Sequence, residues 1–252
     1  MGYHESLTEG RNAVLEAFRS GKTVDRLFVL DGCQDGPVKT ILREAKKQDT
    51  MVQYVKKERL DQLSETKNHQ GVIAYCAACE YAEVSDILEN AKKKGEAPFI
   101  VLLDGIEDPH NLGAIIRTAN QAGAHGVIIP KRRAVGLTAT VARTSAGAVN
   151  YTPVAKVTNL VTVMEDLKKE GMWFVCADMD GEEMYSLNLK GPIGLVIGNE
   201  GEGVSRLVKE HCDMVASIPM KGDIDSLNAS VAMGVLAYEI VRQRRFLKHT
   251  MF

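Results

Sequence analysis

The alternation of short apolar segments with amphipathic helical patterns restricts the fold of this chain more than any other feature. In the first eighty residues, strands are predicted at 26–30, 52–55 and 71–75, and helices at 11–18, 37–48 and 57–65. Strands alternating with helices predict an α/β architecture with parallel or mixed sheets. Later strands such as FIVLL and GLVIG are almost wholly apolar, which indicates burial on both faces of a sheet.

The second part of the chain shows the same alternation more strongly. Its strands are predicted at 99–104, 125–130, 172–178, 192–198 and 214–220, and its helices at 109–123, 138–148, 157–171, 203–210 and 226–246. Between the two parts, residues 81–97 are predicted to form a short helix that ends in a lysine cluster and a glycine, a composition typical of a solvated linker. We therefore predict a small α/β domain over 1–80, a linker over 81–97 and a larger α/β domain over 98–252.

Charge and cysteine content restrict the function and the compartment. Lysine and arginine number 31 against 33 acidic residues, so the formal net charge of −2 provides no bulk attraction for nucleic acid. The five cysteines are an odd number, which disfavours a disulfide framework and predicts a reducing, cytoplasmic compartment. We expect no membrane association, since no apolar run suits a signal peptide or a membrane helix. We also expect no metal site, because the six histidines are scattered without ligand spacing.

Three loops that follow predicted strands carry polar residues suited to a ligand site. In the first loop region, 104–129, the predicted helix has a buried stripe that includes Leu112 and Ile115, and Arg117 lies off that stripe. Open α/β sheets bind ligands beyond the carboxyl ends of their strands, which favours a functional arginine over a surface one.

The second and third loops are rich in small residues. The second, 192–205, runs from a buried strand into a glycine-rich turn whose spacing fits neither a dinucleotide fingerprint nor a phosphate-binding loop. Glycines at such a turn allow a ligand to approach the backbone closely. The third, 217–244, enters a helix near Ser226, so Ser226 and Asn228 are candidates both for helix capping and for a site.

The order of these loops and the residues in them resemble those of a known family. Three stretches resemble the three motifs of the SpoU (TrmH-type) RNA 2′-O-ribose methyltransferases: N-L-G-A-I-I-R-T-A at 111–119, I-G-N-E-G-E-G-V at 197–204, and I-P-M with S-L-N-A-S-V-A within 218–232. A fourth stretch, T-S-A-G-A at 144–148, also resembles this family, so that the resemblance spans 99–245. Residues 1–80 look like the substrate-binding domain that often precedes it, which is similar to kink-turn-binding ribosomal proteins. The whole chain most resembles the subgroup that methylates a guanosine of 23S ribosomal RNA.

The resemblance implies properties that periodicity does not indicate. It implies a C-terminal SPOUT-type α/β sheet with a deep trefoil knot, an obligate homodimer, and S-adenosylmethionine as the cofactor. Carried over position by position, the cofactor contacts fall on Gly198, Ile218, Met220, Leu227 and Asn228. The catalytic residues that the resemblance implies are Arg117, Asn111, Glu200, Ser226 and Asn228.

RNA is the macromolecular partner we expect, and ribosomal RNA is favoured because a separate small domain precedes the larger one. The predicted RNA contacts are Arg11, Asn12, Arg132 and Arg133. Two alternatives remain open: 2′-O-methylation of transfer RNA, and a non-catalytic RNA-binding factor in ribosome assembly. A nicotinamide-dependent oxidoreductase is disfavoured because no G-x-G-x-x-G follows an early strand.

Overall fold

Two sheets organise the residues that the computed structural model describes, 6–223 and 226–246. One compact unit comprises the chain up to Glu80 together with Gly136–Thr140, and the other comprises Tyr81–Val135 and the chain from Val141 onward. We refer to them as the small unit and the large unit. Each has its own apolar core.

The small unit contains a four-stranded mixed sheet in the order β1-β4-β2-β3. Its strands are β1 Ser6–Glu9, β2 Val24–Leu30, β3 Met51–Val55 and β4 Val72–Cys76, and its helices are α1 Arg11–Arg19, α2 Gly36–Lys47 and α3 Lys57–Leu63. Strands β2 and β3 are parallel, whereas β4 is antiparallel to both of its neighbours. Strand β1 is not predicted from the sequence, because Leu7 is the one large apolar residue in SLTE and the strand is defined by its pairing with β4.

The large unit contains a six-stranded sheet in the order β10-β8-β9-β5-β6-β7, in which every neighbouring pair is parallel. Its strands are β5 Phe99–Asp104, β6 Gly126–Pro130, β7 Val154–Val157, β8 Trp173–Glu183, β9 Ile193–Gly198 and β10 Met214–Ser217. The helices from residue 81 onward are α4 Val84–Lys94, α5 Pro109–Gln121, α6 Ala139–Thr144, α7 Leu160–Lys169, α8 Arg206–Glu210 and α9 Ala229–Phe246. The predicted parallel α/β architecture is confirmed.

Residues 81–97 contain the predicted short helix, α4, which belongs to the large unit and does not form a separate linker. Ile87 and Ala91 lie one turn apart on α4 and are both buried. Gly126 opens β6 directly beneath this helix, and a Cβ there would lie 2.5 Å from Cγ1 of Ile87. The apolar stripe of α4 is short and is followed directly by three lysines, so the sequence does not indicate that this helix is buried on one side. Its burial becomes evident only from the packing against β6.

Several further element boundaries differ from the sequence prediction: β8 continues to Glu183 and α6 ends at Thr144, and the starts of α7 and α9 also differ. Strand β7 ends at Val157, which is the first residue of the predicted helix 157–171. Helix α7 begins only at Leu160, because the side chain of Asn159 caps it by accepting a hydrogen bond from the backbone N–H of Thr162. Helix α9 begins at Ala229 rather than near 226. Within the described ranges, no helix has the length and apolar character needed to cross a membrane, and no three His, Cys, Asp or Glu side chains group as metal ligands.

The packing of α4 is tested by Ile87→Ala. We expect the free energy of unfolding to fall by about 2–5 kcal/mol, because truncation leaves a cavity in a buried core. The control is Glu89→Ala on the exposed face of the same helix, where an ion pair with Lys93 contributes little. Equal urea denaturation midpoints for the two variants would contradict the packing of α4 on the sheet.

Candidate active site

Three loops begin at one edge of the large sheet because the strands that precede them all run in the same direction. Strands β5 and β9 are adjacent, with Asp104 in register with Gly198 at their carboxyl ends. Strand β10 runs parallel to them and is separated from β9 by β8. The loops after β5, β9 and β10 therefore meet where open α/β sheets bind ligands.

The loop after β9 is closed by the backbone and side chain of Asn199. Its backbone exchanges hydrogen bonds with Gly203, with the N–H of Asn199 donating over 3.2 Å and the N–H of Gly203 donating over 3.0 Å. Its Oδ1 accepts from the backbone N–H groups of Gly201 at 2.8 Å and Glu202 at 2.7 Å. This closure leaves Glu200 at the tip of the loop.

Gly198 allows the loop to turn back onto the end of β9. A Cβ at this position would lie 2.0 Å from the carbonyl carbon of Gly203. A backbone atom at that distance cannot be displaced without opening the loop, so a side chain at position 198 is excluded.

Glu200 meets two asparagines from the other two loops. The Nδ2 of Asn111, in the first turn of α5, donates to Oε1 of Glu200 at 3.1 Å. The Nδ2 of Asn228 donates to the same oxygen of Glu200 and, at 2.9 Å, to Oδ1 of Asn111. Three residues that the sequence analysis assigns to one site are thus in mutual contact, which we call the polar cluster.

Asn228 also begins α9. Its Oδ1 accepts from the backbone N–H of Ser230 at 3.0 Å and of Val231 at 3.4 Å, as an N-cap side chain does. Asn228, rather than Ser226, therefore caps the helix. Because the same side chain donates to Glu200, capping and cluster formation fix each other's geometry.

Arg117 lies apart from the polar cluster. It is on α5 six residues after Asn111, which corresponds to about 9 Å along the helix axis. Its side chain is exposed and makes no hydrogen bond or ion pair with any residue of the described ranges. Within one chain, the structure therefore does not bring Arg117 into contact with Glu200, Asn111 or Asn228.

A cavity of about 730 Å³ lies beside the polar cluster. Of the residues predicted to contact a cofactor or to act in catalysis, those that line it are Gly198, Glu200, Ile218, Met220, Ser226 and Leu227. Ile197 and Ala216 add apolar walls. Asn228, Asn111 and Arg117 are not among the lining residues.

The wall of the cavity formed by β8 contains an ion pair. The Nζ of Lys209 lies 2.7 Å from Oδ2 of Asp178, and Asp178 lines the cavity. Burial alone would raise the pKa of Asp178, but hydrogen bonds from Lys209 and from the backbone N–H of Asp180 outweigh it and lower the pKa below its usual value. The same contact raises the pKa of Lys209.

The predicted RNA contacts of the small unit differ from each other in their surroundings. Arg11 begins α1 and is held by an ion pair with Asp35, at 2.6 Å, and by a hydrogen bond from its Nε to the carbonyl oxygen of Gln70, at 3.0 Å. Asn12 is exposed on the first turn of α1. Of the two, Asn12 presents the more accessible side chain.

Arg132 and Arg133, in the large unit, follow β6 and are both exposed. Arg133 has a left-handed backbone, with φ of 55°, and lines a second cavity of about 450 Å³ on the other side of the loop after β9. Asp104 and Glu202 lie in the same cavity.

Asn199 is the site residue that the sequence analysis did not assign. Its Asn-x-Gly spacing is a recognisable signal, because an asparagine side chain commonly accepts from the backbone N–H two residues later. The acidic residues in the last part of β8 are also absent from the prediction, since no motif marks them. Asp178, Asp180 and Glu183 all line the larger cavity.

Comparison with known proteins identifies the family of this chain. The model of the SpoU rRNA Methylase family matches residues 98–238, which include the polar cluster and the strands that carry it. The chain belongs to the SpoU methylase family. A second family model, described as RNA 2′-O ribose methyltransferase substrate binding, matches residues 7–82.

Relatives of this SpoU methylase cover nearly the whole chain. A Bacillus subtilis (strain 168) protein named as the TrmH family tRNA/rRNA methyltransferase YacO is 49% identical over 237 residues, which is 93% of this chain and 94% of that protein. The AviRb methyltransferase of Streptomyces viridochromogenes, solved in complex with AdoMet, is 27% identical with a TM-score of 0.60, covering 95% of this chain and 90% of its own. An AdoMet-bound rRNA methyltransferase of Sinorhizobium meliloti is 25% identical with a TM-score of 0.59, covering 95% and 87%.

Gly198→Ala in this SpoU methylase tests the close approach of the loop to β9. We expect the free energy of unfolding to fall by about 1–3 kcal/mol, because the added methyl group must displace backbone. Gly201→Ala is the matched control in the same loop, since its Cβ would meet only Oδ1 of Asn199, at 3.7 Å. Urea denaturation of both variants checks this, and equal stabilities would show that position 198 has room for a side chain.

Proposed function

We propose that this protein transfers a methyl group from S-adenosylmethionine to a ribose 2′-hydroxyl of RNA, and that its substrate is a guanosine of 23S ribosomal RNA. The observation that carries the proposal is the polar cluster of Asn111, Glu200 and Asn228 beside a cavity large enough for a nucleoside. Family membership and the presence of AdoMet in the AviRb complex support the same assignment.

The lining of the 730 Å³ cavity fits this cofactor. Apolar side chains such as Ile197, Ile218 and Leu227 suit the faces of an adenine ring, and the glycine at position 198 keeps backbone groups accessible to its polar edges. Asp180 and Glu183 provide negative charge for a cationic ligand. We therefore assign cofactor contacts to Gly198, Ile218, Met220 and Leu227, with Asn228 nearby.

Glu200 is suited to accept the proton of the 2′-hydroxyl. Its Oε1 receives N–H groups from both Asn111 and Asn228, which fixes the carboxylate, while Oε2 has no partner within 6–223 or 226–246. When bound, S-adenosylmethionine supplies an electrophilic methyl group, so the remaining requirements are alignment and removal of the hydroxyl proton. A phosphate oxygen of the RNA is the alternative acceptor for this proton, and Ser226 contributes a hydroxyl to the same wall.

Arg117 acts as a cation rather than as a base in this proposal. A guanidinium has a pKa above about 12 and stays protonated in proteins. Its charge stabilises the alkoxide that develops on the ribose oxygen, or orients an adjacent phosphate. Its exposure and its lack of a partner among the described residues support a role in which RNA or a second protomer provides the missing contacts.

A homodimer is part of the proposal. Val231 and Tyr238 are about half exposed and lie seven residues apart, on one face of α9. Gly234 lies between them and approaches Thr118, the neighbour of Arg117 in α5. A second copy covering this apolar face would therefore lie beside Arg117. The deep trefoil knot remains a prediction from the family, as does the similarity of the small unit to kink-turn-binding proteins.

Ribosomal RNA is favoured because residues 7–82 match the substrate-binding model and the rRNA methyltransferase of S. meliloti covers nearly the whole chain. We assign RNA binding to domain 1–80, with Arg11 and Asn12, and methyl transfer to domain 98–252, in the cytoplasm. Transfer RNA is the alternative substrate, since the name of the B. subtilis relative includes both RNAs.

Mapping ribose methylation across total RNA, in cells with and without this protein, tests the proposal. We expect the loss of one 2′-O-methylguanosine in 23S ribosomal RNA. Loss of a methyl group in a transfer RNA would favour the alternative substrate. An unchanged map would overturn methyl transfer and support the non-catalytic assembly factor instead.

The role of Arg117 is tested by Arg117→Ala in single-turnover methylation of the RNA that the map identifies. We expect the rate to fall by about 10²–10³-fold, because one preorganised positive charge is lost from the transition state. Arg206→Ala, which removes an exposed arginine paired with Glu210, is the control and should leave the rate unchanged. A near-normal rate for Arg117→Ala would show that Arg117 has no role in the reaction. Arg117→Lys keeps the positive charge but loses the planar guanidinium, so its rate shows which of the two properties matters.

Arg132→Ala together with Arg133→Ala tests RNA binding by the loop after β6. We expect weaker binding of RNA. We also expect the slope of the logarithm of the binding constant against the logarithm of the salt concentration to be smaller by roughly one for each phosphate that these arginines neutralise. Fluorescence anisotropy at several salt concentrations measures both quantities. An unchanged salt slope would place these arginines outside the interface.

A further inference from the structure

The charge of the larger cavity is one-sided. Five carboxylate side chains line it, and no lysine or arginine is among its lining residues in the described part of the chain: the five are Asp178, Asp180, Glu183, Glu200 and Glu202. A cavity whose walls carry one sign of charge concentrates the field inside it. The whole chain has a formal net charge of only −2, so the excess of negative charge around this cavity is a local feature.

The five carboxylates differ in how far protein partners offset their charge. Asp178 is neutralised by Lys209, and Glu200 is held by two neutral amides. Glu202 also lines the second cavity, together with Arg133. By contrast, the carboxylates of Asp180 and Glu183 have neither a hydrogen bond nor an ion pair with any residue that the structure describes. The nearby cation that acts on Asp180 is Lys209, which is already paired with Asp178. Their charge is therefore available to a ligand.

Asp180 and Glu183 lie near or at the end of the long strand β8. Glu183 is in register with Ser217 at the end of β10, and both residues line the cavity. Glu182, the residue before Glu183, is also exposed but does not line the cavity. The pairing of β8 with β10 is irregular here, since its register shifts between Val215 and Ala216, and the residues after Cys176 therefore do not follow a simple alternation of faces.

The two forms of the cofactor differ in charge. S-adenosylmethionine carries a sulfonium, an ammonium and a carboxylate, and therefore one net positive charge at neutral pH. The product of methyl transfer, S-adenosylhomocysteine, has lost the sulfonium charge and is neutral overall. An otherwise similar shape means that charge is the main property by which a binding site can distinguish them.

We propose that Asp180 and Glu183 are specificity residues that favour the cationic cofactor over its neutral product. This inference rests on the proposed function only in its choice of cofactor. The two carboxylates attract the positive sulfonium of S-adenosylmethionine, whereas S-adenosylhomocysteine has no sulfonium for them to attract. Release of the product is thereby favoured after each transfer, without any contact that distinguishes the two molecules by shape.

The size of the effect follows from exposure. Both side chains are exposed, so the surrounding water screens them, and each is expected to contribute about two- to fivefold to the preference. The preference should also fall with salt, because the screening length is about 8 Å at physiological ionic strength and about 3 Å at 1 M.

Calorimetric titration of the full-length protein, without RNA, tests this inference. The ratio of dissociation constants for S-adenosylhomocysteine and S-adenosylmethionine is measured for the wild type, Asp180→Asn, Glu183→Gln and the double variant. Glu182→Gln is the matched control, because it removes the same charge from the next position of the same strand. Each titration is repeated at high salt.

We expect the ratio to fall by about two- to fivefold in each single variant and by about tenfold in the double variant. The fall should come from weaker binding of S-adenosylmethionine. The control should keep the wild-type ratio, and high salt should abolish the difference between variant and wild type. An unchanged ratio, an equal weakening of both ligands, or a fall as large in Glu182→Gln would overturn the inference. Failure of the wild type to bind either ligand would instead overturn the cofactor assignment.

Discussion

A backbone contact between Gly198 and Gly203 underlies the whole candidate site. The chain can turn back onto the end of β9 only where no Cβ is present, since that atom would lie 2.0 Å from the carbonyl carbon of Gly203. The turn projects Glu200 toward Asn111, in the first turn of α5, and toward Asn228, which precedes α9. One local contact therefore brings together three segments that are far apart in the sequence.

The members of the polar cluster could be predicted from the sequence because Asn111, Glu200 and Asn228 lie in the stretches that resemble the SpoU motifs. The parallel order of the strands then places these stretches at one edge of the sheet. The resemblance did not predict the separation of Arg117 from this cluster, which arises because Arg117 lies further along α5. The packing of α4 was not predictable, because its stripe consists only of Ile87 and Ala91 beside a run of lysines. The choice of Asn228 over Ser226 as the cap was not predictable either, since both residue types cap helices well and the path of the chain decides between them.

The near-zero net charge of the chain conceals a separation of signs within the large unit. Carboxylates line the larger cavity, whereas Arg117, Arg132 and Arg133 are exposed outside its lining. Such a placement suits methyl transfer from a cationic cofactor to a polyanionic RNA, because carboxylates attract the cofactor and arginines attract the RNA. Local placement of charge, rather than its sum, is therefore what matters for this reaction.

A weak overall attraction for RNA also bears on how a substrate is selected. Residues 1–80 contain twelve basic and twelve acidic side chains, and Arg11 is already paired with Asp35. Sequence-independent binding to RNA arises almost entirely from neutralised phosphates, so it is weak for a unit of this composition. Two weakly binding units on one chain bind tightly only to an RNA that engages both at once, because the second contact is then intramolecular. Near-neutrality thus favours recognition by the shape of the RNA over recognition by its charge.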